Sequence, residues 1–401
     1  MDITIQPDSL NGTVRAIPSK SQAHRLMICA AFSDKKTTLI CPETNRDIEA
    51  TANCLRALGA AIERSAEGYI VEPIATLPQQ AILPCDESGS TLRFLLPIIG
   101  ALGIEGTFIM CGRLSERPLS PLWEEMELHG CRLTRTEKNA LHCAGRLEGG
   151  YYRIDGSVSS QYITGLLFAA ALCHEKISIE ITGKAESMPY IKMTQDVLAL
   201  FGVDSYNYCI KNTYPFRSPG EITVEGDWSN SAFFVAANAL GSNITLKGLT
   251  TTSSQGDQIV TSHAAALSEH QNISAADIPD LIPILSVIAA ANKGAVFSDI
   301  RRLRLKESDR VASVRQMLGA LGIRTEADEN TLVVYPGRIL GGTVDAFNDH
   351  RIAMSAAIAA TVAAAPVRII GAECVNKSYP SFWEVYRSLG GNYEQYLRNE
   401  N

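Results

Sequence analysis

The chain has 401 residues, 46% hydrophobic and 20% charged, which fits a globular protein of two domains, or three, with real cores. A formal net charge of -7 excludes a whole-surface binder of nucleic acid or membrane, though not a local cationic pocket. None of the ten cysteines forms a Cys-x-x-Cys pair, so buried reduced thiols are expected rather than a zinc or redox centre. The opening Met1-Asp2-Ile3-Thr4-Ile5 lacks the basic-then-apolar order of a signal peptide, and the longest apolar stretches (94–104 and 354–365) are too short to span a bilayer; a cytoplasmic location is expected.

In chain order a unit recurs: a β-rich segment, a small polar turn, then an alanine- or leucine-rich helix. The first turn, Pro18-Ser19-Lys20-Ser21, opens a helix with Lys20 and Ser21 at its start and Arg25 about one turn deeper. The second is Glu87-Ser88-Gly89-Ser90. After it, Arg113-Leu114-Ser115-Glu116-Arg117-Pro118-Leu119 sets an arginine fork before a proline, read as another helix start. The third turn, Ser157-Val158-Ser159-Ser160, runs into Gln161 and Tyr162, a hydroxyl and amide cluster able to donate to phosphate oxygens. The fourth is Asp227-Trp228-Ser229-Asn230. The fifth, Asp277-Ile278-Pro279-Asp280, precedes an apolar helix over 281–291, where Asp280 is either a cap or a general base.

In Leu305-Lys306-Glu307-Ser308-Asp309-Arg310, the spacing of Lys306 and Arg310 puts both on one face if the segment is helical, with Glu307 between them as a potential proton donor. The sixth turn, Phe347-Asn348-Asp349-His350, is followed by Arg351; His350 lacks a partner at metal-ligand spacing and reads as capping or core. Asn376-Lys377-Ser378-Tyr379-Pro380 completes the cationic set. The turns start 69, 70, 70, 50 and 70 residues apart. Most units close a second helix with an apolar residue or histidine before glycine (Gly59, Gly130, Gly202, Gly322, Gly390), as a left-handed cap requires. The fourth unit lacks this mark and is short, as if trimmed. Six mixed units in two groups of three predict an α/β or α+β protein.

Each turn alone is a plain helix cap. Six converging helix starts would instead form an anion site without a phosphate loop, and the sequence contains neither Gly-x-x-x-x-Gly-Lys-Ser/Thr nor Gly-x-Gly-x-x-Gly.

Taken together, the segments 18–25, 115–118, 155–161, 306–310 and 348–351 resemble the 5-enolpyruvylshikimate-3-phosphate synthase family over nearly the whole chain. The resemblance implies a two-domain inside-out α/β barrel of six βαβαββ-type repeats. It places a shikimate 3-phosphate-binding domain at 19–226, the second domain at 1–18 plus 227–401, and the active site in the cleft between them. It implies transfer of the enolpyruvyl group of phosphoenolpyruvate to the 5-hydroxyl of shikimate 3-phosphate by addition and elimination, in a monomer with no metal or other cofactor and no nucleic-acid or membrane partner.

By motif, Lys20, Ser21, Arg25, Ser159, Ser160, Gln161, Ser187, Tyr190, Asp280 and Lys306 are expected to hold shikimate 3-phosphate. Lys20, Gly89, Arg117, Gln161, Arg310, Arg351 and Lys377 are expected to hold phosphoenolpyruvate. Asp280 resembles the base on the 5-hydroxyl and Glu307 the acid on the methylene carbon; Lys20 is grouped with them as catalytic. With Arg93 the set has eight cations against two carboxylates, a net of +6, which roughly matches two phosphates and two carboxylates.

Glu87 and Arg302 stand where many members have asparagine. The alternatives are an enolpyruvyl transferase acting on UDP-N-acetylglucosamine, whose loop cysteine is here Gly112 with Cys111 adjacent, and a non-catalytic anion-binding homologue. A nucleic-acid end-processing enzyme on a related repeat fold is disfavoured by the net acidity and the lack of an aromatic-basic stripe.

Overall fold

The recurrence read from the turns appears, among the described residues, as six separate sheets. The structure, a computed structural model, describes residues 1–210 and 213–396. In chain order the elements are β1 (Asp2–Ile5), β2 (Asn11–Arg15), α1 (Lys20–Ala31), β3 (Thr37–Ile40), α2 (Arg46–Ala57), β4 (Ala61–Arg64), β5 (Gly68–Glu72), β6 (Gln80–Asp86), α3 (Gly89–Leu102), β7 (Glu105–Met110), α4 (Leu122–Leu128), β8 (Cys131–Glu137), β9 (Ala140–Gly145), β10 (Gly150–Asp155), α5 (Ser160–Leu172), β11 (Ile177–Thr182), α6 (Met188–Leu200) and β12 (Cys209–Ile210). There follow β13 (Glu221–Thr223), α7 (Trp228–Ala239), β14 (Asn243–Lys247), α8 (Val260–Ala266), β15 (Gln271–Ser274), α9 (Ile282–Ala291), β16 (Ala295–Ser298), α10 (Arg310–Ala320), β17 (Thr325–Ala327), β18 (Thr331–Val334), β19 (Gly342–Asp345), α11 (His350–Ala360), β20 (Val367–Ile370), α12 (Phe382–Ser388) and β21 (Tyr393–Tyr396).

Two compact units result: Pro18–Glu225, and Met1–Ile17 with Gly226–Asn401. Each has its own apolar core. The first unit contains the sheets β13-β3-β5-β4, β6-β7-β9-β8 and β10-β11-β12; the second contains β14-β2, β15-β16-β18-β17 and β19-β20-β1-β21. The two-stranded sheet belongs to the short fourth repeat, which has α8 but lacks the closing strand pair among the described residues.

The first helix of every repeat is buried along most of its length: α1, α3 and α5 in one unit, α7, α9 and α11 in the other. Their small and aliphatic residues allow burial on all sides. Local chemistry fixes where they start. The Ser19, Ser88 and Ser159 hydroxyls accept from the N–H groups of Gln22, Thr91 and Gln161; the Asp227 and Asp349 carboxylates accept from those of Asn230 and Arg351. α9 has no side-chain cap, which removes the capping reading of Asp280.

The second helices end, as expected, at glycines of positive φ: Gly59, Gly130, Gly202, Gly322 and Gly390. Pro97 does not interrupt α3, which runs on to Leu102. Among the described residues no helix is long and apolar enough to cross a membrane. Eight of the ten cysteines are buried and none is paired, whereas Cys111 is exposed on a loop, against the expectation of uniform burial.

α3 and α5 pack tightly at Gly165. A Cβ there would lie 2.2 Å from the Arg93 carbonyl oxygen and 3.0 Å from Pro97 Cγ, so any side chain must force the two helices apart. Gly165→Ala is expected to cost about 1–3 kcal/mol through overpacking. Denaturant melts of the variant beside the parent protein measure it, and an unchanged midpoint would show that the contact is not tight.

Candidate active site

In the first unit, Arg25 is 2% exposed, and its described partners are all neutral oxygens. Nε donates to Thr194 Oγ1 (2.8 Å), Nη1 to the Ser21 carbonyl (2.7 Å), and Nη2 to Thr164 Oγ1 (3.3 Å) and the Tyr190 carbonyl (3.1 Å). The guanidinium also lies over the Phe94 ring, 4.9 Å from its centroid. Burial brings its pKa down to about 10. Burying a charge without a counter-charge is costly, and a guanidinium with no carboxylate partner among the described residues can accept an external anion.

Lys20, at the start of α1, pairs with Asp47 of α2 at 2.9 Å. One turn deeper His24 is fully buried, and burial first, then Lys20 and Arg25, hold its pKa well below the usual value. Its Nδ1 begins a chain of contacts, each 2.7 Å, through Thr51 and Thr91 to Ser88, the cap of α3. The first helix start is thereby tied to the second.

Gly89 lies beside two guanidinium groups: a Cβ would sit 2.8 Å from Arg117 Nη1 and 3.0 Å from Arg93 Nη1. Arg93 donates to Gln161 Oε1 (2.7 Å), and Gln161 Nε2 donates to Ser90 Oγ (2.9 Å), joining the second helix start to the third. Ser159 caps α5 and Ser160 is its first residue. Ser187 precedes α6 with φ +56° and is buried; the Glu186 N–H donates to the Gly156 carbonyl (3.2 Å), which lays this segment against the 156–160 turn. Contrary to the sequence reading, no helix starts at Pro118: Arg117 is in extended conformation after a short 3-10 turn, Gly112–Glu116, and α4 begins only at Leu122.

In the second unit, Asp280 is surrounded by cations: Arg310 Nη1 at 2.5 Å, Arg351 Nη2 at 3.2 Å and Lys306 Nζ at 3.6 Å. Burial works against its ionised form, but Arg351, Lys306 and Arg310 outweigh burial and hold its carboxyl well below the usual range. Arg310 also meets Glu307 (2.5 Å) and Asp349 (2.9 Å). Lys306 and Arg310 do not share a helix face. Lys306 ends a 3-10 turn (Arg301–Leu305) in extended conformation and Arg310 opens α10, so a loop brings both to Asp280. Burial, with help from Arg310 and Arg302 and against Asp280, brings the Lys306 pKa down to about 8.

Arg351 also donates to Ser229 Oγ (2.7 Å), and Lys377 Nζ donates to the Asn348 carbonyl (3.0 Å). His350 is buried, as its core reading expects. Asp257 is buried too, and burial first, then the charge of Asp280, pushes its pKa up to about 6.

Sequence reasoning gave no role to Asp47, Ser229, Asp257 or Asp349. Ser229 and Asp349 lie in the polar turns, Asp349 with cap-type spacing to Arg351, whereas Asp47 and Asp257 carry no signal. Arg93 enters the sequence reading only through its charge.

The fold is that of the enolpyruvyl transferases. The chain superposes on EPSP synthase from Acinetobacter baumannii with a TM-score of 0.79 at 22% identity, covering 98% of this chain and 100% of that one. It superposes on the enolpyruvyl transferase NikO from Streptomyces tendae with a TM-score of 0.72 at 16% identity, covering 98% of each. The sequence model of EPSP synthase (3-phosphoshikimate 1-carboxyvinyltransferase) matches residues 5–386. Proteins described as 3-phosphoshikimate 1-carboxyvinyltransferase from Clostridium kluyveri and Clostridium perfringens are 37% and 38% identical, covering 98% and 97% of this chain and 98% of each of theirs. The chain belongs to the EPSP synthase family and is a carboxyvinyl transferase.

The Lys306 ammonium is expected to titrate near pH 8 in the protein without substrates, cationic below and neutral above. Removing a depressing cation (Arg310→Met) moves that midpoint up, and removing its counter-charge (Asp280→Asn) moves it down. Side-chain NMR shifts of labelled lysine report it; a midpoint at the ordinary lysine value in all three proteins would contradict the burial argument.

Proposed function

We propose that the chain transfers the enolpyruvyl group of phosphoenolpyruvate to the 5-hydroxyl of shikimate 3-phosphate and releases phosphate, with both residue sets serving that one pair of substrates. The contrast in charge compensation supports the assignment of residues. Arg25 is buried among neutral oxygens only, whereas Arg310 is surrounded by carboxylates.

Arg25, with Ser21 and Tyr190 beside it, takes the shikimate carboxylate. Ser159, Ser160 and Ser187 take its phosphate, Gln161 and Lys306 line the ring, and Asp280 faces the 5-hydroxyl. Lys20, Gly89, Arg117, Gln161, Arg310, Arg351 and Lys377 receive phosphoenolpyruvate, where oriented donors stabilise charge that develops on phosphate and carboxylate.

Asp280 is ionised at neutral pH, as a base must be, but its cations make it a weak one. Anionic substrates that draw on Arg351, Lys306 and Arg310 raise its proton affinity at the moment the 5-hydroxyl must lose its proton. Glu307 in its protonated form delivers a proton to carbon 3 as the hydroxyl oxygen bonds to carbon 2 and Asp280 takes the hydroxyl proton. The tetrahedral adduct then loses phosphate from carbon 2 while the Glu307 carboxylate takes a proton back from carbon 3, and the departing phosphate carries off the proton held by Asp280. Action in the cytoplasm as a monomer, with no metal or other cofactor, belongs to the same proposal.

Phosphate release tests the reading. Purified protein with phosphoenolpyruvate is expected to release phosphate when shikimate 3-phosphate is added and not when UDP-N-acetylglucosamine is added; the reverse would transfer the chain to the alternative substrate. Glu307→Gln is expected to lower kcat by about 100-fold or more while substrate dissociation constants move only a few-fold. Near-normal turnover would remove Glu307 from proton transfer.

A further inference from the structure

Of the three carboxylates around Arg310, the side chains of Asp280 and Glu307 are 20% and 25% exposed, whereas that of Asp349 is 0% exposed. Asp349 is closed off from anything arriving at the surface, yet its two oxygens serve three donors. Oδ1 accepts from the Arg351 N–H (3.0 Å); Oδ2 accepts from Ser308 Oγ (3.0 Å) and Arg310 Nε (2.9 Å). Those donors come from separate parts of the chain: the first turn of α11, the 306–309 loop and the start of α10.

The Nε contact has a geometric consequence. A guanidinium is planar, and fixing its single Nε–H fixes the directions of the other two nitrogens. With Nε on Asp349, Nη1 points to Asp280 (2.5 Å) and Nη2 to Glu307 (2.5 Å). The Ser308 bond holds the loop next to Glu307, and the cap holds the backbone of Arg351, whose side chain also meets Asp280.

We propose that Asp349 is a positioning residue for the transfer, a buried anchor that orients Arg310 and, through Arg310, Ser308 and the α11 cap, sets Glu307, Asp280 and Arg351 in register. The inference rests on the roles given above to Arg310 and Glu307. It assigns Asp349 no contact with either substrate.

Asp349→Asn separates anchoring from capping. Asparagine caps a helix about as well as aspartate, so Oδ1 still accepts from the Arg351 N–H, but an NH2 now faces Arg310 Nε, donor against donor. The expected result is a fall in kcat of about 100-fold, as misplacement by an ångström can produce, with a raised KM for phosphoenolpyruvate and an unchanged KM for shikimate 3-phosphate. In an Arg310→Lys background, which has no Nε to orient, the same substitution should add little, because the two residues act as one unit.

A purely structural role predicts otherwise: activity lost only in step with the folded fraction, both KM values unchanged, and effects that multiply in the double variant. That outcome overturns the proposal. If Asp349→Asn does not fold, Ser308→Ala keeps the cap and the ion pair while removing one of the three bonds. It should show a smaller fall in kcat with the same one-sided KM change, and wild-type kinetics would count against the anchor. Should the roles of Arg310 and Glu307 themselves be wrong, Arg310→Lys and Glu307→Gln would both turn over normally, which distinguishes that failure from a failure of Asp349 alone.

Discussion

A helix buried on all sides must still satisfy the N–H groups at its start, and six such helices impose that demand on this chain six times. The two units meet it differently. In Pro18–Glu225 the caps are serines: Ser19, Ser88 and Ser159. A neutral cap satisfies an N–H without cancelling the positive end of the helix dipole, so each start stays attractive to an anion. In the other unit α7 and α11 are capped by Asp227 and Asp349. An acidic cap cancels that end and has capacity left for side chains, and Asp349 uses it on Ser308 and Arg310. The choice of cap thus separates helix starts that keep their positive end from helix starts whose positive end is balanced by a carboxylate.

That difference changes the charge count. The candidate residues taken by type alone carry +6, but Asp47 neutralises Lys20 and Asp349 neutralises Arg310, so the set with these two partners carries +4. The reduction is uneven. Arg25 keeps its full charge among neutral oxygens, while Arg310 is shared among three carboxylates. A group of the first kind attracts an anion strongly and has nothing to exchange for it. A group of the second kind can give up a carboxylate contact when an anion arrives, and a carboxylate so released gains proton affinity. Binding and proton transfer therefore need differently compensated cations.

Local features were legible in the sequence because local chemistry decides them. The six polar turns precede the six buried helices, and the glycine marks fall where the second helices end in a left-handed residue. The short fourth interval was visible as a short repeat. Two readings failed where a pattern was extended beyond its element. Lys306 and Arg310 have helical spacing, but a loop separates them, and Pro118 follows a 3-10 turn rather than opening a helix. Asp349 was passed over because its burial and its bonds to residues 39 and 41 positions away depend on how two repeats pack.

Strand pairing was the least legible feature, for a topological reason. β2 precedes α1 in the chain but pairs in parallel with β14, matching Asn11 to Asn243 and Arg15 to Lys247; β13 precedes α7 but pairs with β3. The strand that precedes α1 completes the fourth repeat, and the strand that precedes α7 completes the first. β1 goes further, lying between β20 and β21 with Ile3 and Ile5 fully buried. The first 17 residues therefore supply strands to two sheets whose other strands lie beyond residue 240, with all of Pro18–Glu225 inserted between them. The second unit cannot bury its core until both ends of the chain are present, since β1 closes the last sheet and β2 is the partner of β14. Long-range pairing of this kind forms late, because loop closure must be met before the contacts return it.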